Sequence, residues 1–343
     1  MRFAFTEDQL LLRDTVRGLL ARECPPDVVR SAWEARSGRA PSVWAKLAEA
    51  GVTAMTLSEA SGGLGMDELD LALVLEEAGY AGLPDPLVET VAVGAPLLEA
   101  VGTAAQKERW LDAAAAGDAL IAVGFEGQPF VPHAAVAAVA LLHRGGDLYA
   151  VPREELPLEP QVSVDRSRPI ARVDYAPDAR HRVDAGDRAA LDAAVGVAFD
   201  RAAWATSCVL LGLTRRMLDL AVQYAKDREQ FGKPIGAQQA IKHHLATALI
   251  RQELARPLVY RAAWSLAHRD SVRDHGAHVS MAKVHAANAA RHVAKTALQV
   301  HGAIGYTIEH DLHLFQKRAW ALAAMYGDVG FHRARVGAAT LPD

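Results

Sequence analysis

From about residue 185 onward, apolar residues recur at helical spacing, and this limits the fold more than any other feature of the 343-residue chain. Leu211, Leu218, Val222 and Ala225 share one helical face. Ile241, Leu245, Ala248, Leu249 and Ala255 share a second, and Pro257 is expected to kink or break that helix. Val279, Ala282, Ala286, Val293, Ala297 and Leu298 mark a third, ended by Gly302. Long helices with alanine faces approach closely, so a four-helix bundle is expected over 185–343.

The first third, 1–119, also reads as helices. Thr6 followed by Gln9 is a capping-box pattern ahead of Leu10, Val16, Leu19 and Leu20. Pro41 opens a helix that stops at Gly51, and Ser61-Gly62-Gly63-Leu64-Gly65 must be a turn. Leu69, Leu73, Val74 and Glu77 follow a helical period expected to end near Gly79 and Gly82, and a further helix runs from about Ala104 to Ala116. Between 120 and 184 the texture changes to short apolar runs, with prolines at 129, 132, 152, 157 and 160 and the turn Arg144-Gly145-Gly146-Asp147. Hairpins in a small β module are expected there, although the alanine-rich run 135–142 also fits a short helix. The fold class is mainly α with a small β module: helical domain, short β domain, helical bundle.

A net charge of -4 and a pI near 6.4 leave no electrostatic footprint for nucleic acid. Cys24 and Cys208 read as two buried structural thiols, which fits a reducing, cytoplasmic setting. Charges punctuate the alanine-rich stretches, so no membrane span is expected. The chemistry concentrates in Asp227-Arg228-Glu229-Gln230-Phe231-Gly232-Lys233-Pro234-Ile235 and the following Gln238-Gln239. An arginine, amides, an aromatic ring and turn-formers at a junction of two helices suit a diphosphate and a flat ring. By pattern alone Arg228 is more often a surface cation at a helix end than a diphosphate ligand, and Phe231 and Tyr306 are equally core aromatics. Glu309-His310-Asp311-Leu312-His313 tempts a metal assignment, but its two histidines lack a third partner, so solvated or interface histidines are expected and no metal. Lys242-His243-His244 reads as a helix face.

Taken together, Gly62-Gly63-Leu64-Gly65, Glu76-Glu77, Gly102-Thr103-Ala104-Ala105-Gln106-Lys107, the Arg228 tract and Gln299-Val300-His301-Gly302-Ala303-Ile304-Gly305-Tyr306-Thr307 resemble the acyl-CoA dehydrogenase family over nearly the whole length. The resemblance implies FAD as cofactor and oxidation of an acyl-CoA thioester to trans-2-enoyl-CoA. A base takes the α-proton while a hydride leaves the β-carbon. It also implies electron-transfer flavoprotein as the electron acceptor. Cofactor contacts fall on Arg228, Phe231, Gln239, Gln299, Gly302 and Ala303, and acyl-CoA contacts on Phe199 and Asp200.

The departures from the family pattern form a set. The usual glutamate is missing from both of its places: Ala202 stands at the helix position, and near the C-terminus the nearest carboxylate is Asp328. Asp328 sits later in register and reaches less far than a glutamate, so it reads both as a candidate base and as a loop or cap residue. The β-domain stretch that normally meets the flavin is replaced by Gly124-Phe125-Glu126-Gly127-Gln128-Pro129, and Ala303 replaces a glycine. In the family each FAD lies at a subunit interface, and the residues kept here belong to the neighbour's half. The pattern resembles the smaller subunit of bacterial heterotetrameric members, which implies a hetero-oligomer with a longer acyl-CoA dehydrogenase subunit. A self-sufficient homo-oligomer using Asp328 or another carboxylate as base, or a non-enzymatic structural or acyl-CoA-binding protein on the same scaffold, are the alternatives.

Overall fold

The computed structural model describes residues 4–341, so the extreme ends of the two outer domains lie outside the described residues. The chain divides into two compact units. Unit 1 gathers residues up to 19, 27–71 and 84–202; unit 2 gathers 20–26, 72–83 and 203 onward.

The N-terminal helices are α1 (Glu7–Glu23), α2 (Pro26–Glu34), α3 (Pro41–Glu49), α4 (Glu68–Ala81), α5 (Ala95–Val101) and α6 (Ala104–Ala115). The expected capping box at the head of α1 is present, with Thr6 N–H donating to Gln9 Oε1 at 3.0 Å and Gln9 N–H to Thr6 Oγ1 at 3.2 Å. A second capping box joins Thr103 and Gln106 at the start of α6. Gly51, Gly62 and Gly65 take left-handed backbone, as the stop and turn require. α4 ends at Ala81, as expected near Gly79 and Gly82, with Gly82 in left-handed backbone; Gly79 itself lies inside the helix, where a Cβ would be 2.1 Å from Val209 O. Gly212 answers it from the other helix, where a Cβ would lie 1.9 Å from Glu76 O. Glycine serves close backbone approach here, not termination.

The β module is two three-stranded sheets. β1 (Ile121–Gly124), β3 (Val139–Arg144) and β4 (Asp147–Pro152) form one, and β2 (Phe130–Pro132), β5 (Leu158–Gln161) and β6 (Ile170–Val173) the other. The Gly145-Gly146 hairpin joins β3 to β4 in the expected place, and the alanine-rich run resolves as a turn leading into a strand. β1, however, pairs parallel with β3, so the first two apolar runs are not a hairpin. Inside unit 1, Arg168 pairs with Glu89 at 3.0 Å, both about 5% exposed. Burial pushes the Glu89 carboxyl up, but the Arg168 and His133 charges more than offset it and hold it below the ordinary range. Glu89 lies on a π-helix, Val88–Gly94, whose seven residues are all buried and therefore show no amphipathic period.

The C-terminal helices are α7 (Arg188–Asp227), α8 (Gln239–Ala267), α9 (His275–His301), α10 (Leu312–Ala324) and α11 (Val329–Thr340). A small hairpin of β7 (Glu229–Gln230) and β8 (Lys233–Pro234) separates α7 from α8. α8 continues through Pro257 instead of breaking. The Ser265 hydroxyl meets His278 Nδ1 at 2.9 Å, one of the contacts that hold α8 along α9. α7 is apolar enough by composition to cross a bilayer, contrary to the expected punctuation by charge, but 72% of its apolar window is buried inside the protein. It is a core helix. Both cysteines are buried, as expected.

Unit 2 holds a dense polar network. Arg215 spans Glu76 at 3.0 Å and Glu77 at 2.7 Å, and the Tyr260 hydroxyl donates to Glu76 at 2.7 Å. Burial, reinforced by the Glu76 charge, pushes the Tyr260 phenol far up, which keeps it a donor. Lys283, 1% exposed, donates to the carbonyls of Leu322 and Ala323 and so closes the C-terminus of α10.

Candidate functional site

The ends of three helices converge within unit 2. Tyr224, one turn before the end of α7, stacks on His301 at the end of α9, with ring centroids 4.6 Å apart. The turn ahead of α8 lies against the same part of α7, since a Cβ on Gly236 would meet Ala225 O at 2.8 Å. The expected cofactor residues occupy these ends.

Arg228 has a fixed backbone, donating from N–H to Tyr224 O at 2.9 Å and accepting at its carbonyl from Ile235 N–H at 2.8 Å. Its side chain is exposed, and among the described residues it has no ion pair. Phe231 and Gly232 form the two-residue loop between the paired Gln230 and Lys233, with φ of 55° and 76°. Such a loop favours Asn-Gly, and a bulky aromatic at positive φ is strained. The Phe231 ring is nevertheless 93% exposed, and Tyr306 is 77% exposed, so neither is a core aromatic.

Gln239 is exposed at the first position of α8, where the N-cap Gln238 supplies no side-chain cap. The leading amides of that helix are therefore open to an acceptor. Gln299, Gly302 and Ala303 are exposed at the end of α9. Gly302 has φ 62° and ψ -136°, a region only glycine enters readily, and nothing lies within 4 Å of where its Cβ would be. Beneath this surface His301 is 3% exposed, and its Nδ1 donates to Ala297 O at 2.7 Å. Burial lowers its pKa, so the ring is neutral and Nε2 is a buried acceptor with no partner. His310 closes the stack edge-on at 4.4 Å. The Tyr224–His301–His310 stack is not legible in the sequence, although His301 lies inside the 299–307 motif.

The remaining expected residues stand elsewhere. Phe199 and Asp200 belong to unit 1. The Phe199 ring meets Phe125 edge-on at 5.3 Å, and Asp200 is 4% exposed. Ala202 is fully buried, with no carboxylate at that position. Asp328 is the N-cap of α11 and accepts from Phe331 N–H at 2.9 Å. That hydrogen bond holds its carboxyl below the ordinary range, which weakens it as a base. His313 places Nε2 3.1 Å from Ile308 O, and no group of metal ligands occurs among the described residues.

An FAD fits one side of such a site. The exposed arginine, the open helix start and the strained, uncovered ring are donors and a platform that the chain itself does not use.

Comparison with known proteins identifies the family. The family description "Acyl-CoA dehydrogenase, N-terminal domain" matches residues 6–118, and "Acyl-CoA dehydrogenase, C-terminal domain" matches 192–341. Acyl-CoA dehydrogenase IpdE2 of Mycolicibacterium smegmatis is 33% identical over 94% of this chain and 95% of its own length. Acyl-CoA dehydrogenase FadE34 of Mycobacterium tuberculosis is also 33% identical, over 98% of this chain but 48% of its own length. The solved ChsE4–ChsE5 complex from Mycobacterium tuberculosis has the same fold, with a TM-score of 0.86 at 23% identity and full coverage of both chains. The chain belongs to the acyl-CoA dehydrogenase family, flavoprotein oxidoreductases that use FAD to oxidise acyl-CoA thioesters.

Proposed function

We propose that this chain acts as the subunit that completes a partner's FAD site in a hetero-oligomeric acyl-CoA dehydrogenase. The observation that carries the reading is Phe231, a phenylalanine held at φ 55° with its ring 93% exposed. Exposing a large apolar ring and straining its backbone both cost free energy, and a flat ring laid over it by another chain offsets both.

In this reading Arg228 donates a charged fork to the cofactor diphosphate. Gln239, Gln299 and the open amides at the start of α8 supply further donors, and Gly302 lets the cofactor approach the backbone beside Ala303. FAD supplies the acceptor for the hydride that leaves the substrate's β-carbon. The partner supplies the base, because Ala202 has no carboxylate and the Asp328 carboxylate caps α11. Phe199 and Asp200 contribute to holding the acyl-CoA, and electron-transfer flavoprotein takes up the electrons. One complex that shares the fold, ChsE4–ChsE5, is itself an assembly of two named chains.

The homomeric reading, with Asp328 as base, is less well supported because that carboxylate is exposed and bound to its own helix. Co-expression separates the readings. With each longer acyl-CoA dehydrogenase of the same genome in turn, one pairing is expected to yield a yellow, active complex. Yellow, active protein from this chain alone sinks the subunit reading, and absence of flavin under every pairing points to a non-enzymatic member.

A further inference from the structure

Three segments of unit 2 meet on His301. Tyr224 stacks on its ring from α7, with centroids 4.6 Å apart, and the Tyr224 carbonyl is the acceptor that fixes the Arg228 backbone. The turn 302–306 folds back onto it, since a Cβ on Gly305 would lie 3.0 Å from the His301 Cβ, and that turn carries Gly302 and Ala303. His310, ahead of α10, meets the ring edge-on at 4.4 Å. His301 is 3% exposed, so it sets how Arg228, Gly302 and Ala303 stand to one another without itself reaching a ligand.

The hydrogen bonds fix which nitrogen of each imidazole carries the proton. His301 Nδ1 donates to Ala297 O at 2.7 Å, so neutral His301 is bare at Nε2, a buried atom with no hydrogen-bond partner. His310 Nδ1 accepts from Leu312 N–H at 3.1 Å, so neutral His310 carries its proton on Nε2. A further proton on His301 has one place to go, the buried Nε2, and no acceptor stands ready for it there. Tyr224 faces the ring from α7 and His310 from the segment ahead of α10. The charge that acts on His301 is the cationic one of His310, and no carboxylate among the described residues answers it. The Tyr224 face and the helix end each favour a cation modestly, but burial works the other way and is the largest effect on this ring.

We propose that His301 is a positioning residue of the flavin half-site, and that it holds the ends of α7 and α9 in the FAD-accepting arrangement only while it is neutral. Acid places an unanswered cation between Tyr224 and His310, and the turn 302–306 must open to hydrate it. Gly302 lets that opening stay local, because nothing lies within 4 Å of its Cβ position and the turn moves there without displacing a neighbour. The direction follows from the lowered folded pKa. The stabilisation is complete above the ordinary histidine value of 6.5 and is lost as the pH falls through the folded value. This rests on the subunit reading above and adds the condition under which the half-site keeps its cofactor.

The test uses the co-expressed complex and, separately, the chain alone. In the complex the FAD dissociation constant is expected to rise at least tenfold between about pH 7.5 and about pH 5.5, on either side of the ordinary histidine value. His301→Phe keeps a flat ring on Tyr224 and cannot be charged, so the same ratio in that variant should stay within about twofold. In the chain alone, amide exchange over 302–312, corrected for its intrinsic pH dependence, should quicken at least tenfold across that interval in the parent and not in His301→Phe. His301→Asn, which keeps a donor for Ala297 O, serves if the Phe variant does not fold. Equal pH dependence in parent and variant overturns the proposal, and so does exchange over 302–312 that ignores acid in the parent. A complex that holds no FAD at any pH sinks the subunit reading instead, and exchange in the chain alone then decides the role of His301.

Discussion

Unit 1 answers its own polar and apolar groups, whereas unit 2 leaves many of them open. In unit 1 the buried Glu89 and Arg168 neutralise each other, Trp33 Nε1 donates to Ser167 at 2.9 Å, and Arg39 pairs with a fully buried Asp85 side chain. Of the large apolar side chains left exposed among the described residues, unit 1 has Leu11, Leu64, Phe130, Val162 and Val164. Unit 2 has twice as many, among them Phe231, Ile250, Leu254, Tyr306 and Ile308. A unit that buries a polar network as demanding as Glu76–Arg215–Tyr260 does not lack the means to cover aliphatic residues. Seven of these exposed side chains lie along α8 or just past the ends of α7 and α9, where the proposed function puts the cofactor, and the other three are Trp320 on α10 and Phe331 and Leu341 on and after α11.

Substitutions sharpen this contrast. Arg168→Leu in unit 1 strands a buried carboxylate and is expected to cost about 3–5 kcal/mol in denaturant unfolding; a cost near zero removes the claim that unit 1 is internally paired. Gly212→Ala forces a methyl group onto the α4 backbone and should cost about 3 kcal/mol, read in the same way. Phe231→Asn should behave in the opposite sense. Stability of the isolated chain rises by up to about 1 kcal/mol as strain is relieved, while FAD retention in the co-expressed complex falls at least tenfold. Loss of stability in that variant makes the ring a structural residue.

The smallest effect belongs to Asp328. Asn also caps helices, so Asp328→Asn should leave both turnover of the complex and Tm near the parent, and lost turnover restores Asp328 as the base. Because the folded carboxyl is held below its unfolded value, its stabilisation is present above that value. It is lost as the pH falls through the folded pKa, below about pH 4. In the parent, α11 should loosen in that range by amide exchange, and in the Asn variant it should not respond to pH.

Much of the fold was legible because helical period, capping boxes and glycine turns are local signals. The β3–β4 hairpin was legible for the same reason: Gly145-Gly146 sits between two apolar runs. What escaped depends on distant partners. The role of Gly79 as a close-approach residue inside α4 is hidden until Val209 is laid against it, and Pro257 reads as a kink or break although α8 runs on through it. The π-helix at Val88–Gly94 is buried on every side and has no polar face to betray it. The parallel β1–β3 pairing skips the intervening strand β2, which lies in the other sheet.

The site divides in the same manner. The motifs located Arg228, Phe231 and Gln299, but exposure is a property of the folded surface and could not be read from them.

The central claim is that this chain supplies one side of a flavin site. The most direct test is the flavin content of the purified chain, alone and after co-expression with a longer acyl-CoA dehydrogenase, read from the visible absorbance of the flavin. Colourless protein is expected from the chain alone even after incubation with excess FAD, and a yellow complex on co-expression that loses its flavin when Phe231 and Arg228 are replaced. Stoichiometric FAD in the isolated chain, reduced on addition of acyl-CoA, contradicts it.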